Sequence, residues 1–431
     1  MLDIQFIRDN SQKVKDAATA KNVAVDVDRL LELDEKRKVL LQEVEKLRQA
    51  RNETAAQMQN GQPAPELVAE GKRIKEAITK LEAELEPTET EYTELLLAVP
   101  NVMEEDVPIG SSEEDNAVLE TVGVIPEFSF TPKSDAELGL QKDLIDKERA
   151  AKIAGSRFAY LKNDLVLLQF ALINFVMYSL SSEEVIAEII AENNLSVSTK
   201  PFIPILPPQL IKTGPYQASA RLNSDEVTYK LADDDLWLNA SAEHSLCTMF
   251  MGETLPADQL PLRYLGYATS FRREAGTYGK DTEGIFRMHQ FDKLEMESFT
   301  NAEDSRAEHD FMVAVQKWLM NKLNLPYQVV LKCSADVGKP NRRGVDIETW
   351  MPAQGAYRET HTADYIGDYQ SRRLKITTKQ AGNNELVHTN DATAFAMSRI
   401  LKALLENNQT ETGEVKIPEV LQPYMAGKTT I

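Results

Sequence analysis

Cysteine is nearly missing from this chain: Cys247 and Cys333 stand far apart, and neither has a CxxC partner. That spacing points away from a disulfide framework and from a cysteine-built zinc site, and both thiols are expected in the core of a protein from a reducing cytoplasm. Long apolar runs are missing too. A membrane span needs roughly 18 consecutive apolar residues, and the richest stretch, Leu165 to Leu180, is interrupted by Gln169 and Asn174. It reads as a buried helix. The opening residues MLDIQFIRDN put acidic and polar side chains where a secretory signal needs apolar ones. No membrane partner is expected. Positive charge is scarce: 48 Lys and Arg against 68 Asp and Glu leave a net charge of −20. In bulk that opposes phosphate binding, which rests on Lys and Arg, although a local basic patch on an acidic protein can still meet RNA. Several catalytic signatures are also absent: GxSxG, GxxxxGK[ST], HExxH, and GxGxxG after a strand. Their absence points away from hydrolases and Rossmann enzymes and suits a reaction driven by positioning and charge neutralisation.

What is present divides into two parts. With 431 residues, 42% of them apolar and 27% charged, the chain has the totals of a soluble globular protein of two domains. From about Asp26 to Val99 apolar positions recur at steps of three and four. With Arg37, Arg51, Thr54, Gly71 and Thr88 filling the remaining steps, they run through Leu30, Leu33, Leu40, Val44, Leu47 and Met58, then Leu67, Ile74, Ile78, Leu81, Leu85, Tyr92, Leu95 and Val99. That is a heptad seam. The breaker Asn60-Gly61-Gln62-Pro63-Ala64-Pro65 between the halves predicts an antiparallel helical hairpin over about residues 27–99. Such an arm is on the order of 50 Å long at 1.5 Å per residue. Pro87 should kink its second helix or end the regular part. The first helix carries Arg29, Lys36, Arg37, Lys38, Lys46, Arg48 and Arg51, whereas Glu dominates the second. A hairpin of this kind is a spacer or a dimerisation element as readily as an RNA-facing surface; the basic first helix favours the last. Beyond Pro100 strand-like runs (Tyr327 to Lys332, Leu374 to Thr378) alternate with helical ones (Ala302 to Leu323, Ala392 to Asn407), and Pro201 to Pro208 reads as an extended edge. This half is α+β, with helices around an antiparallel sheet.

The densest polar cluster runs from Phe271-Arg272-Arg273-Glu274 through a Gly-containing loop to Arg287-Met288-His289 and Lys293-Leu294-Glu295. Arg grips phosphate through two donors at once, and carboxylates suit an ammonium group or Mg²⁺. The mixture fits a site for an anionic phosphate and a cationic amine together; a surface hairpin laced with salt bridges would carry the same residues. A second cluster, Arg358-Glu359-Thr360-His361-Thr362, leads to Tyr369-Gln370-Ser371-Arg372-Arg373. Glu359 on a strand could hold a metal ion, and His361 is more readily a packing residue than a general base.

The stretch FRREAGTYGKDTEGIFRMHQFDKLE, Phe271 to Glu295, resembles the second signature motif of class II aminoacyl-tRNA synthetases, and of seryl-tRNA synthetases in particular. Residues 99–123 resemble that family's linker after its coiled coil, residues 154–158 its entry to the catalytic domain, 357–373 its Glu-X-Ser-Ser…Asp-Tyr-Gln-Ala-Arg-Arg block, and 388–399 its third motif. The resemblance implies an N-terminal tRNA-binding domain over 1–105 and a class II catalytic domain over 106–431, with an antiparallel sheet flanked by helices. It also implies a homodimer, serine activation by ATP and Mg²⁺, and transfer to tRNA(Ser), with tRNA(Sec) as a further acceptor.

Residue by residue, Ser241-Ala242-Glu243 matches the family's serine-contacting Thr-Ala-Glu, and Glu295 and Thr393 match serine-binding positions. Arg272-Arg273-Glu274, Met288, Glu359-Thr360-His361-Thr362 and Arg399 match ATP-facing ones, with Glu359 also the Mg²⁺ position. By this match Arg272, Arg399 and Glu359 carry the chemistry. The family's Ser-Ser has become His361-Thr362, its Cys-rich run Ala363 to Asp368, and its Asn-Gly-Ser-Gly Asp391-Ala392-Thr393-Ala394. Two rival readings are a non-catalytic tRNA-binding homologue and an amino-acid ligase that loads a carrier protein. The retained Arg272, Glu274 and Arg399 oppose the first, and the arm opposes the second.

Overall fold

The computed structural model describes residues 1–58, 64–222, 227–274, 283–380 and 382–431. It separates into two units, Met1–Val102 and Met103–Ile431. The first begins with short helices α1 (Ile4–Asp9) and α2 (Ser11–Ala20). The Asp3 carboxylate caps α1 by accepting the Gln5 and Phe6 amides. Two long helices follow, α3 (Val27–Met58) and α4 (Pro65–Ala98), packed against each other along their length. The expected seam is there. Leu30, Leu33, Leu40 and Val44 are buried against Ile74, Ile78, Leu85, Thr88 and Tyr92. Toward the far end the seam opens: Leu47 is half-buried and Arg51 exposed. The breaker at residues 60–63 lies outside the described residues.

Pro87 does not end α4, which continues through it to Ala98. The proline lacks the N–H that would reach the Ala83 carbonyl. Just after it the Thr88 and Thr90 hydroxyls reach back across the proline and donate to the Glu84 and Glu86 carbonyls, both at 2.9 Å. The basic side chains of α3 face the acidic helix. Arg29 pairs with Glu91 at 2.7 Å, Lys36 with Glu84 at 3.0 Å, Arg37 with Glu89 at 3.2 Å and Arg48 with Glu82 at 2.7 Å. Solvent-exposed pairs of this kind contribute only about 0–1 kcal/mol each, so each can be exchanged for another anion.

The second unit is built on a sheet of β1 (Ala117–Val122), β2 (Ile203–Ile205), β3 (Leu262–Phe271), β4 (Gln290–Thr300), β5 (Tyr327–Leu331), β6 (Arg343–Met351), β7 (Ala356–Gly367) and β8 (His388–Ala396). Their spatial order is β1-β5-β6-β7-β8-β4-β3-β2. Every pairing is antiparallel except β2 with β3. The proline-rich connector thus supplies the extended edge, where missing N–H groups do least harm. The helices that matter below are α5 (Asp135–Gln141), α6 (Asp164–Leu180), α7 (Glu183–Glu192), α8 (Ala242–Leu246), α9 (Ser305–Lys322), α10 (Tyr369–Leu374) and α11 (Met397–Asn407). The apolar stretch read as a buried helix is α6, packed with α9 and α11 into the main core. No single helix among the described residues is long and apolar enough to cross a membrane; α6 and α7 pass that test only together, across an 81° bend. Both thiols are buried and free.

Two segment readings need correction. Residues 392–396 continue β8, and the helix starts at Met397. Ala and Thr there suit either state, and pairing with β4 and β7 decides it. Leu374 closes α10, Lys375 takes φ +57°, and the strand begins at Thr377.

One buried ion pair fastens the sheet to its helical cover. Arg263 of β3 is 1% exposed. It meets Glu308 of α9 through two nitrogens at 2.5 and 2.8 Å, donates to the Ser198 and Lys200 carbonyls at 2.8 and 2.6 Å, and stacks 4.1 Å from the Phe311 ring centroid. Removing one partner strands a charge in a dry interior. Glu308→Ala should therefore destabilise this unit by about 3–5 kcal/mol, read as a lowered denaturation midpoint. Arg263→Met with Glu308→Leu, which removes both charges, should lose less.

Candidate active site

β4 alternates strictly. Leu294 and Met296 enter the main core, so Lys293, Glu295 and Glu297 share the opposite face. β8 runs beside it, and Thr393 stands directly opposite Glu295 just before a bulge that shifts the register at Phe395. β7 lies on the other side of β8 and brings Glu359, Thr360 and Thr362. Arg399 projects from the first turn of α11. These elements enclose one cavity lined by Arg272, Glu274, Met288, Glu359, Thr360, Thr362, Thr393 and Arg399, with Phe286, Arg287, Phe291, Lys293, Ala396 and Ser398 completing the wall.

The cations in it are anchored. Arg272 donates through Nε to the Ala240 carbonyl at 3.1 Å and lies 5.4 Å from the Phe291 ring centroid. Arg399 reaches the Glu359 carboxylate at 2.8 Å and the Glu359 carbonyl at 3.0 Å. The Phe286 ring sits beneath Arg399 and Arg358, at 5.1 and 4.8 Å. Glu274 takes φ +49° and turns its carboxylate to Arg287 at 3.5 Å. Loss of solvent raises the Glu359 carboxyl, but Arg399 and then Lys332 outweigh it and bring it to about 2. Glu348 stands opposite Glu359 in the neighbouring strand, and burial followed by the Glu359 charge pushes its carboxyl up.

The cavity floor is fixed from behind. Asp135 accepts the Ile285 amide at 2.7 Å and the Lys402 ammonium at 2.7 Å, and Lys402 also pairs with Glu406. Gly284, at φ +64°, passes so close that an added Cβ would lie 2.1 Å from the Asp135 carboxylate. One buried carboxylate thus ties the strand entry that carries Phe286 to the helix that carries Arg399.

At the inner end Lys293 and Thr393 lead into a second group. The Lys293 ammonium lies 2.5 Å from Glu295 Oε2 and 3.3 Å from the Ser241 hydroxyl. Thr393 donates to Glu295 Oε1 at 3.3 Å, and the Ser241 hydroxyl stands 3.4 Å from both Glu295 and Glu243. Burial pushes the Glu295 carboxyl up, Lys293 pulls it back and nearby Glu243 raises it again, to about 7. Burial also raises Glu243, but Arg221, His244, Lys293 and Arg272 outweigh it and bring it to about 2. Glu297 is fully buried opposite Asp391, and neither of its carboxylate oxygens has a hydrogen-bond partner among the described residues. Burial and then the Asp391 charge drive its carboxyl far above the usual range.

Three matched residues stand apart from both the cavity wall and the inner group of Ser241, Glu243 and Glu295. Arg273 is exposed, with its guanidinium 5.4 Å from the Tyr229 ring. Ala242 packs into a small core against β3. His361 is buried, bonded to the Thr360 hydroxyl at 2.8 Å and packed on Phe395; burial drops its pKa to about 3, so it is a neutral packing residue. The loop at residues 275–282 lies outside the described residues. Sequence reading missed Phe286, Phe291, Lys293 and Arg221 as site residues. The alternation Lys293-Glu295-Glu297 could have flagged Lys293; Arg221 belongs to no motif.

Residues 1–103 match the family model described as the seryl-tRNA synthetase N-terminal domain, and residues 227–408 match the tRNA synthetase class II core domain (G, H, P, S and T). The chain is 36% identical over 438 aligned positions to the serine–tRNA ligase of Nitrosopumilus maritimus, covering 100% of both. It is 38% identical over 431 positions to that of Borreliella burgdorferi, covering 98% of each. Among solved structures it superposes on the seryl-tRNA synthetase of Pyrococcus horikoshii complexed with ATP at TM-score 0.86, with 34% identity over 100% of this chain and 99% of that one. The cytoplasmic serine–tRNA ligase of Naegleria fowleri in complex with AMP gives TM-score 0.83 and 28% identity, over 100% and 98%. With relatives aligned end to end above 30% identity, this chain belongs to the seryl-tRNA synthetase family.

Proposed function

We propose that this protein is a serine–tRNA ligase that activates L-serine with ATP and passes the seryl group to the terminal ribose of tRNA(Ser), with tRNA(Sec) as a second acceptor. The observation that carries the reading is the junction at Lys293 and Thr393. They line the cavity that holds Arg272 and Arg399 and also touch Glu295 in the carboxylate and hydroxyl group behind it. An arginine-lined end suited to phosphate and a carboxylate end suited to an ammonium are therefore joined through Lys293 and Thr393.

A serine carboxylate oxygen attacks the α-phosphorus of ATP; the bond to the β-phosphate oxygen breaks and pyrophosphate leaves. The ribose hydroxyl of tRNA then attacks the seryl carbonyl carbon, AMP leaves, and the hydroxyl proton passes to solvent. Arg272 and Arg399 neutralise phosphate charge during the in-line displacement. Glu243, Glu295, Ser241 and Thr393 hold the ammonium and hydroxyl of serine, and Phe286, Phe291 and Met288 provide the apolar wall for the base. Glu359 and Glu348 stand opposite each other on β7 and β6, two carboxylates of the hard oxygen type that Mg²⁺ takes. Bound there, the ion would offset phosphate charge. The exposed apolar side chains of α6 and of edge strand β1, including Leu167, Phe170, Tyr178, Val118 and Leu119, support a homodimer. We place the reaction in the cytoplasm.

ATP–pyrophosphate exchange with each of the twenty amino acids tests the assignment: serine should drive it best, and a stronger response to another amino acid would overturn it. Arg272→Ala should slow serine-dependent exchange by about 10²-fold or more, as loss of a preorganised donor does.

Serine's ammonium needs an ionised partner. With Glu295 at about 7, KM for serine should fall as pH rises from roughly 6 to 8, because the carboxylate becomes charged through its pKa. Lys293 lowers that carboxyl, so Lys293→Met should move the acid limb to higher pH; a limb that stayed in place would remove Glu295 from the role.

The arm serves tRNA. Replacing Ala24 to Val99 by a short linker should leave exchange intact and abolish aminoacylation, both measured on the same protein. Full charging by the deletion protein would reduce the arm to a spacer. In the intact enzyme charging should weaken steeply with salt, since each phosphate contact releases counterions.

A further inference from the structure

Asp364 and Asp391 belong to the stretches where this chain departs from the family's wording. They face each other across β7 and β8, and one guanidinium meets both. Arg221 Nη2 lies 2.6 Å from Asp391 and 3.4 Å from Asp364, while its Nε lies 2.8 Å from Glu243 Oε1. The side chain is 14% exposed, Asp391 1% and Glu243 9%. This contact divides the Glu243 carboxylate. Oε1 faces Arg221 as an ion pair at 2.8 Å, although the Nε–H is not aligned for a hydrogen bond, whereas Oε2 is turned to Ser241 at 3.4 Å, beside Glu295.

Glu243, Glu295 and Asp391 present oxygens within 4.8 Å of one another. Like charges gathered so closely in a dry place repel, and some of them take up protons unless a cation intervenes. Lys293 answers Glu295. His244, the other basic group beside Glu243 at 3.6 Å, is buried and neutral at working pH. Among the described residues Arg221 is thus the permanently charged group within 4 Å of Glu243, with Lys293 and Arg272 acting from farther off, and its planar fork spans two carboxylates at once, which an ammonium does not.

We propose that Arg221 is a positioning residue for serine: anchored on Asp391 and Asp364, it fixes the Glu243 carboxylate, charged and correctly turned, at the amino-acid end of the cavity. The inference rests on the reading that Glu243 contacts serine. It explains why the altered third-motif segment carries an acid at Asp391: the acid anchors the guanidinium. It also adds to the site a residue that no motif contains.

The test is steady-state ATP–pyrophosphate exchange by the full-length protein at fixed pH. Arg221→Met should raise KM for serine about tenfold or more, with KM for ATP and kcat within about twofold of the parent. Arg221→Lys, which keeps the charge and the fold if the methionine variant does not fold, should give an intermediate rise. In a Glu243→Gln background Arg221→Lys should raise the serine KM no further, because the residue acts through that carboxylate. If Glu243→Gln raises the serine KM and folded Arg221→Lys does not, the positioning role is wrong and the serine site stands. If Glu243→Gln leaves the serine KM unchanged, the assignment of Glu243 to serine is what fails. Equal rises in KM for ATP and for serine would show general loosening and overturn the proposal.

Discussion

A site that must take a polyphosphate and an ammonium within a few ångströms has to hold both signs of charge close together without letting them collapse on each other. The catalytic unit meets this constraint by pairing several of its charged groups internally. Arg399 rests on Glu359, Lys293 on Glu295, and Arg221 on Glu243. Substrate binding then exchanges one charged partner for another inside a preformed cavity, which avoids the larger penalty of stripping water from bare ions. The same logic explains why the carboxyls behave so differently. Glu243 and Glu359 are held low by guanidinium groups, whereas Glu297, which has no such partner, is driven toward its neutral form.

The scaffold keeps those pairs in place. The antiparallel register sets Thr393 opposite Glu295 and Glu348 opposite Glu359. Asp135 ties the strand entry that bears Phe286 to the helix that bears Arg399. Arg263 and Glu308 lock the sheet to α9 from beneath. The Asp135 and Arg263–Glu308 ties are charged hydrogen bonds in a dry interior, where a missing partner is expensive. The geometry of the cavity is accordingly fixed before any substrate arrives.

Much of this was legible in the sequence where a period or a motif existed. The seam positions of α3 and α4 were marked by their spacing, and the cavity-lining Arg272, Glu274, Met288, Glu359 and Arg399 stood in recognisable segments. Pattern failed where long-range pairing decides. Residues 392–396 read as helix and fold as strand because β4 and β7 flank them. Of the two outcomes Pro87 offers, a kink or an end, the end is excluded, since α4 continues through it. His361 looked like an ATP-facing residue by position, but strand alternation turns it into the core. Arg221 carried no local signal at all; its partners lie more than 20, 140 and 160 residues away in sequence, and only the fold gathers them.

The division into Met1–Val102 and Met103–Ile431 has a bearing on how such a protein can change. In the arm, the dry seam carries the folding information, whereas the ion pairs between α3 and α4 lie on the wet surface and contribute little to it. Charges on that surface can be rewritten without refolding the hairpin and without touching a strand of the catalytic sheet. On the proposed reading of the arm, RNA preference and amino-acid chemistry are separately heritable in this architecture: drift in one need not be compensated in the other.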